Sequence, residues 1–164
     1  MKQFDVIVVG GGNSALTEAI ELSKFVKSIH IYQNLPVLTA APDLIAKVME
    51  DPKITITCNV RITGFDRVEN QIKYWVAKND NGDPSVPHQT NLTDGVFIAI
   101  GLAPYNKYVS NIGKLDAQGY ISELVDGAYA AGDCKKITAN QVVVACGSGA
   151  KAAIKACRYL NLEK

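Results

Sequence analysis

At 164 residues, with 17 Lys and Arg against 16 Asp and Glu, the chain has a formal charge of +1 and room for one ordinary domain, or one domain plus part of another. Neither sign of charge forms a long run, so no basic stripe points to nucleic acid, and no apolar stretch reaches the roughly 18 residues a membrane span requires. Met1-Lys2-Gln3 leads into a strand pattern rather than a signal-peptide apolar region, so the chain reads as cytoplasmic, with no membrane and no nucleic acid among its expected partners.

The β-branched run Phe4-Asp5-Val6-Ile7-Val8-Val9 leads directly into Gly10-Gly11-Gly12-Asn13-Ser14-Ala15 and then a helical pattern over residues 14 to 26, with Leu16, Ala19, Ile20, Leu22 and Phe25 at helical spacing. A strand, a glycine turn and a helix start in this order form a seat for a dinucleotide pyrophosphate. Gly10 allows the tight turn and Gly12 lets backbone approach the anion. Small Ala15 lets the helix pack on the strand while its first N–H groups face the phosphates.

Ser28-Ile29-His30-Ile31-Tyr32 reads as a second buried strand, completing a βαβ unit. Pro36 and Pro42 bracket a loop, Leu44, Ile45, Val48 and Met49 suggest a short helix, and Lys53 to Cys58 alternates as a third strand. The alternation predicts a parallel sheet with helices on both faces and right-handed crossovers. Residues 60–65 and 72–76 then read as antiparallel strands around a Glu69-Asn70 turn, with Asn79 to Pro84 as a second turn at the tip of this meander. Asp94-Gly95-Val96-Phe97-Ile98-Ala99-Ile100-Gly101 is an apolar run ending on glycine, expected to return to the centre of the parallel sheet. Residues 102–126 are loop-rich, residues 128–133 read as a short buried strand, and residues 140–161 as a final helix. The fold class expected is therefore α/β: a Rossmann-like parallel sheet with an antiparallel β-meander over 1–101, followed by a second portion over 102–164.

Four cysteines, Cys58, Cys134, Cys146 and Cys157, include no C-x-x-C pair, and His30 and His88 are the only histidines. A common redox dithiol, a zinc knuckle, a His-rich metal site and a serine-type triad are all hard to assemble from this set, so no metal is expected and no residue stands out as catalytic.

Three segments in register resemble the low-molecular-weight thioredoxin reductases and related pyridine nucleotide-disulfide oxidoreductases. They are Gly10 to Ala15, Asp94 to Gly101 with Pro104 beyond, and Ala130-Ala131-Gly132-Asp133 followed by Asn140-Gln141-Val142; Leu115 to Ile121 also fits the stretch before the Ala-Gly-Asp segment. The resemblance implies that Gly10, Gly11, Gly12, Asn13, Ser14, Ala15, Ile100 and Gly101 hold a nicotinamide dinucleotide. It also implies that residues 102–164 are the C-terminal portion of a flavin-binding domain, with Gly132 and Asp133 toward the ribityl or phosphate region of FAD and Gln141 and Val142 toward its ring. Glu18 would sit near the nicotinamide ribose, though an exposed helix carboxylate is an equally ordinary reading.

Two departures qualify the resemblance. The family's N-terminal flavin segment and C-x-x-C pair have no counterpart in the sequence, so a complementary half or subunit is the expected partner, and the apolar stretch around Tyr129 would otherwise be an unpaired edge. The family's NADPH users place a cluster of cations after the second strand, whereas Tyr32 to Thr39 holds none. Nor does an acidic residue end that strand, leaving Gln33 or Asn34 to meet the ribose. NADH is thus slightly favoured over NADPH, with FAD as the second cofactor. The function expected is a thioredoxin-reductase-like flavoprotein passing hydride to flavin, inactive as this chain alone, with a thioredoxin-like acceptor and a homo-oligomeric state. The alternative is a non-catalytic nucleotide-binding fragment or degenerate subunit. A redox role for Cys134 competes with an ordinary small loop thiol.

Overall fold

The computed structural model describes residues 4–78, 88–137 and 139–162. The chain divides into two compact units, Met1–Gly101 and Leu102–Lys164.

In the first unit the β-branched run folds as β1 (Asp5–Val9), followed by α1 (Asn13–Ser23), β2 (Ser28–Tyr32), α2 (Pro42–Glu50) and β3 (Ile54–Thr57). A long hairpin of β4 (Val60–Val68) and β5 (Gln71–Lys78) comes next, then β6 (Gln89–Thr93) and β7 (Gly95–Ile98). Strands β3, β2, β1 and β7 lie in that order in a four-stranded sheet and pair in parallel, with Val8 opposite both Ile31 and Phe97. Strands β4, β5 and β6 form a separate antiparallel sheet.

Alternation along β1 assigns each face its cover. Val8 packs with Ile29, Ile31 and Ile54 against Ala15, Leu16 and Ala19 of α1 and Val48 of α2, while Ile7 and Tyr32 on the other face pack with Tyr74 and Val76 of β5. Both helices therefore lie on one face and the meander on the other, where the sequence predicted helices on both. The reason is chirality: the strand order runs steadily from β1 to β3, so two right-handed crossovers put their helices on the same side. The freed face of the sheet is closed by the antiparallel sheet, whose third strand β6 had not been anticipated.

Three further expectations are corrected. The strand at residues 94–101 spans only Gly95–Ile98 and lies at one edge of the described parallel sheet rather than its centre. Helix α1 stops at Ser23, and Phe25, assigned to the apolar face, is 78% exposed. Residues 128–133 form neither a strand nor a buried segment. Ala131 is extended (φ −142°, ψ 158°), but no neighbouring strand among the described residues offers ladder bonds, and Gly132–Cys134 closes into a 3-10 turn. The turn expected at Asn79 to Pro84 lies outside the described residues.

The second unit has a 3-10 turn at Lys107–Val109, a hairpin of β8 (Gly113–Leu115) and β9 (Ile121–Leu124), and α3 (Val142–Leu162). The hairpin lies inside the stretch predicted as loop. Its turn is built by Asp116, whose Oδ1 accepts the N–H groups of Gln118 (2.9 Å) and Tyr120 (3.0 Å) while Gly119 takes a positive φ of 88°.

Candidate functional site

The cleft of the first unit begins where β1 ends. Gly10 takes φ +128°, donates its N–H to the Tyr32 carbonyl (2.8 Å), and lies so close to the end of β7 that a Cβ there would sit 2.3 Å from the Ala99 carbonyl oxygen. No side chain fits. At Gly12 the reverse holds: the nearest atom to a Cβ is Thr39 Oγ1 at 3.7 Å, an ordinary van der Waals contact, so nothing crowds this residue. Gly12 is also the residue before α1, and no side chain caps the helix. The N–H groups of Asn13, Ser14 and Ala15 have no intrahelical acceptor by geometry, which leaves a positive helix end at an open surface. A cradle that a Cβ at Gly10 would destroy, and that nothing crowds at Gly12, fits a dinucleotide pyrophosphate.

The loop after β2 forms the rim. Thr39 donates its N–H to the Gly11 carbonyl (2.8 Å), and Ala41 donates its N–H to Asn13 Oδ1 (2.7 Å), tying residues 39–41 to the glycine turn. Gln33 is only 3% exposed. Its Nε2 donates to the Val37 carbonyl (3.3 Å), its Oε1 accepts the Asn34 N–H (3.1 Å), and its Cδ would lie 2.7 Å from a Cβ on Gly11. Its amide is thus engaged in shaping the loop, whereas Asn34 is exposed beside it.

Together these residues line a cleft of about 730 Å³ that includes Gly10, Gly11, Gly12, Asn13, Ser14, Gln33, Asn34, Ile100 and Gly101, all of them sequence-predicted. Ala15 lies beneath it, fully buried in the α1 core, and Glu18 is exposed outside the lining. Sequence reasoning missed Val9, Leu35, Ala99, Thr39, Val60, Arg61 and Ile62. The last three arrive because β4 starts against the end of β2: Asn59 donates its N–H to the Leu35 carbonyl (2.9 Å) and Val60 to the Gln33 carbonyl (3.1 Å). That pairing joins residues distant in sequence and leaves no periodic signal, although Asn59, at φ 59°, is a residue type that tolerates such a turn.

Among the described residues of the lining, Arg61 is the ionisable side chain. The cleft is thus equipped to bind and orient an anion, and none of its described lining residues is an acid or base placed to move a proton. Two titratable residues with altered behaviour, His30 and Tyr74, lie outside the lining. Burial lowers the pKa of His30, whose Nε2 lies 2.7 Å from Thr57 Oγ1 and whose ring stacks on Tyr32 at 4.1 Å. Burial and the neighbouring Tyr32 hydroxyl, 3.1 Å away, raise the pKa of Tyr74.

The other predicted residues lie in the second unit. Gly132 (φ +75°) donates its N–H to Ser148 Oγ (3.2 Å), linking the 3-10 turn to α3. The tie that sequence reasoning missed is Asn106, 3% exposed, whose Nδ2 donates to the carbonyls of Gly119 (3.0 Å) and Cys134 (2.9 Å). Asp133 is exposed, as are Gln141 and Val142 at the start of α3, where the Gln141 carbonyl accepts the N–H groups of Val144 and Ala145. All four predicted residues lie outside the unit's own cleft, which β9, residues 125–130 and α3 line. They present an open polar face at a helix start, which fits one side of a flavin site but not an enclosed one.

A parallel sheet with a glycine turn at the carboxyl end of its first strand, opening into an uncapped helix, is the site architecture of a dinucleotide-binding α/β protein. The comparisons narrow this class. A family model described as pyridine nucleotide-disulphide oxidoreductase matches residues 1–149, and the chain belongs to that family. Among curated relatives, it is 33% identical over 95% of its length to an NADH dehydrogenase of Ferdinandcohnia aciditolerans, covering 30% of that protein. It is 32% identical over 95% of its length to a thioredoxin reductase of Mycolicibacterium smegmatis, covering 51%. Among solved structures, Lactococcus lactis thioredoxin reductase superposes with a TM-score of 0.81 at 25% identity, over 97% of this chain and 54% of that one. The T. acidophilum thioredoxin reductase superposes with a TM-score of 0.77 at 27% identity, over 98% and 53%. The chain thus spans about half the length of these reductases and less of the dehydrogenase.

Proposed function

We propose that this chain is the nicotinamide-dinucleotide-binding portion, with part of the flavin-binding portion, of a thioredoxin-reductase-like oxidoreductase. The observation that carries the reading is the uncapped start of α1 beside an uncrowded Gly12. Gly10, Gly11, Gly12, Asn13 and Ser14 hold the pyrophosphate, Ala15 seats the helix, Asn34 meets the adenosine ribose from a turn built by Gln33, and Ile100 and Gly101 close the far wall. Glu18, exposed beyond the lining, is at most a peripheral contact to the nicotinamide ribose. The ligand is NADH or NADPH, and the relatives, an NADH dehydrogenase and a thioredoxin reductase, support that class.

In the second unit, Gly132 and Asp133 face the ribityl or phosphate region of FAD, and Gln141 and Val142 face its ring, where a positive helix end suits the charge of a reduced flavin. Bound together, the two cofactors supply hydride transfer from nicotinamide to flavin; this chain's residues bind and orient them. A complementary flavin-domain half closes the open face, a thioredoxin-like protein accepts the electrons, and the assembly is a cytoplasmic homo-oligomer.

A second reading is a nucleotide-binding subunit without turnover. It is favoured by the cysteines: Cys58, Cys134, Cys146 and Cys157 are all free, and Cys134 donates its thiol to the Ala131 carbonyl (3.0 Å) as a structural group would. Calorimetric titration of the chain with NADH, NADPH and FAD tests the proposal. Nicotinamide binding that Gly12→Val abolishes, with unfolding unchanged, supports it, and absence of heat with both nicotinamide dinucleotides rejects both readings. FAD binding only after addition of a flavin-domain half separates the oxidoreductase from the inert subunit.

A further inference from the structure

We infer that α3 carries a self-complementary seam through which two copies of this chain pair in antiparallel fashion, which gives a surface to the homo-oligomer proposed above and is independent of the nucleotide reading. Val143, Cys146, Ala150, Ala153, Cys157 and Leu160 recur at alternating steps of three and four residues, the spacing that keeps one stripe of a helix facing a partner helix. All six are exposed, Val143 at 76% and Leu160 at 62%, while the half-buried stripe through Ala145, Ser148, Ala152, Ala156 and Tyr159 lies on another side of the helix. No seam residue is charged. Lys151, Lys155 and Arg158, the charges of this helix, fall outside the seam, and Lys151 and Lys155 line the unit's own cleft instead.

The order of side-chain sizes names the occupant. Read from either end, the seam runs large, thiol, small, small, thiol, large. Two copies in antiparallel register therefore set Val143 against Leu160, Cys146 against Cys157 and Ala150 against Ala153, and each contact occurs twice about a two-fold axis, as an isologous interface requires. A parallel pair has no use for such a palindrome and would set the two helix dipoles side by side in the repulsive sense. The thiols supply a second mark of the same face: Cys146 and Cys157 are the two exposed cysteines, whereas Cys58 and Cys134 are half-buried. A seam centred on alanines, on a 21-residue helix about 31 Å long, buries less than the roughly 800 Å² per partner of a stable complex. The pair is therefore weak and separates in dilute protein.

Sedimentation and thiol cross-linking of the whole chain test this. Wild type is expected to pass from monomer to dimer as concentration rises from micromolar to millimolar. A short bismaleimide, each end of which adds a thiol across its C=C bond, should then join Cys146 of one copy to Cys157 of the other; within one helix these thiols are about 16 Å apart along the axis, beyond its reach. Cys146→Ser and Cys157→Ser should each fail to cross-link alone, because each lacks one side of both thiol contacts, whereas an equimolar mixture of the two should regain covalent dimer. Ala150→Lys, at an exposed position, should weaken the dimer about tenfold or more while leaving the urea midpoint of dilute protein unchanged. Cross-linking of either cysteine variant alone to the wild-type extent overturns the antiparallel register. A wild type that stays monomeric throughout, or whose exposed thiols are shielded only when a flavin-domain half is added, overturns the self-pairing and gives this face to another partner. Titration with nicotinamide dinucleotides reads the first unit separately, so failure of the pairing leaves the dinucleotide reading standing.

Discussion

The two units solve the burial problem differently. In the first, Val8, Ala15, Leu16, Ala19, Ile29, Ile31 and Val48 are completely buried, so helix, sheet and meander close on one another. In the second, Val109 and Ile121 are the buried apolar residues, and among its described residues Leu102, Tyr105, Tyr108, Val142, Val143 and Leu160 are each more than 60% exposed. None of the described residues of α3 is buried: Ala145, Ser148, Ala152, Ala156 and Tyr159 make a half-buried stripe at helical spacing, while Ile154 and Leu160 face away from it. A helix apolar on more than one side is shaped for more cover than 63 residues provide. The candidate cleft of the first unit thus sits on a closed core, and the exposed face at the start of α3 on an open one.

The largest expected effect tests whether backbone approach is tighter in the first unit. Gly10→Ala combines a left-handed backbone with a Cβ 2.3 Å from the Ala99 oxygen, so it should cost more than about 4 kcal/mol or abolish folding. Gly132→Ala meets only the Ala145 Cβ at 3.7 Å, so it should cost the conformational term alone, about 1–2 kcal/mol. Urea titration of both variants decides this, and equal costs would refute the distinction. A step lower, Leu16→Ala should destabilise by about 2–5 kcal/mol, as truncation of a fully buried leucine does. Ile154→Ala, at a position 53% exposed, should stay within about 0.5 kcal/mol. A large, concentration-dependent loss for Ile154→Ala would instead show that the contact between α3 helices extends to this position.

The same contrast can be read without mutation. Hydrogen exchange on the whole chain should give β1 and β2 amides protection close to that of global unfolding, and α3 amides protection well below it. Uniform protection would mean that the second unit is as well packed as the first. Added NADH or NADPH should raise protection in residues 10–16 and leave α3 unchanged, which places the ligand in one unit.

Legibility in the sequence followed the same division. The glycine turn, the two crossovers and the β4–β5 hairpin were readable, because each is a local pattern: Gly10 to Gly12 after a β-branched run, Leu16 and Ala19 at helical spacing, Glu69-Asn70 between alternating strands. What was not readable depends on pairing between distant residues. Chirality put α2 on the face already used by α1, and the bonds of Asn59 and Val60 to the loop after β2 delivered Arg61 to the cleft. In the second unit, the stretch around Tyr129 carries a strand's composition but has no neighbour to pair with among the described residues, so composition alone misled. The Asp116 turn was the exception: an Asp followed three residues later by Gly, between Leu115 and Ile121, is a hairpin signal that could have been used.

The smallest effect separates the units by pH. His30, on β2, has its pKa lowered from 6.5 by burial. As pH falls, the unfolded chain takes up this proton before the folded one does, so the stabilisation present above 6.5 is lost below it until the folded pKa is reached, where the loss stops. Asp51 acts in a separate window. Bonds from the Ser23 hydroxyl and the Lys53 amide hold its pKa below 3.8, so its contribution persists above that value and disappears only in stronger acid. The urea midpoint of the first unit should therefore drop between about pH 7.5 and 5 in the wild type and stay nearly flat over that range in His30→Gln, whose amide can still bond Thr57. Exchange from α3 should show no difference between the two proteins across the same range. A shared slope in β1 and β2 would assign the pH dependence to some group other than His30, and a shifted α3 would show that stability lost in one unit is also lost in the other.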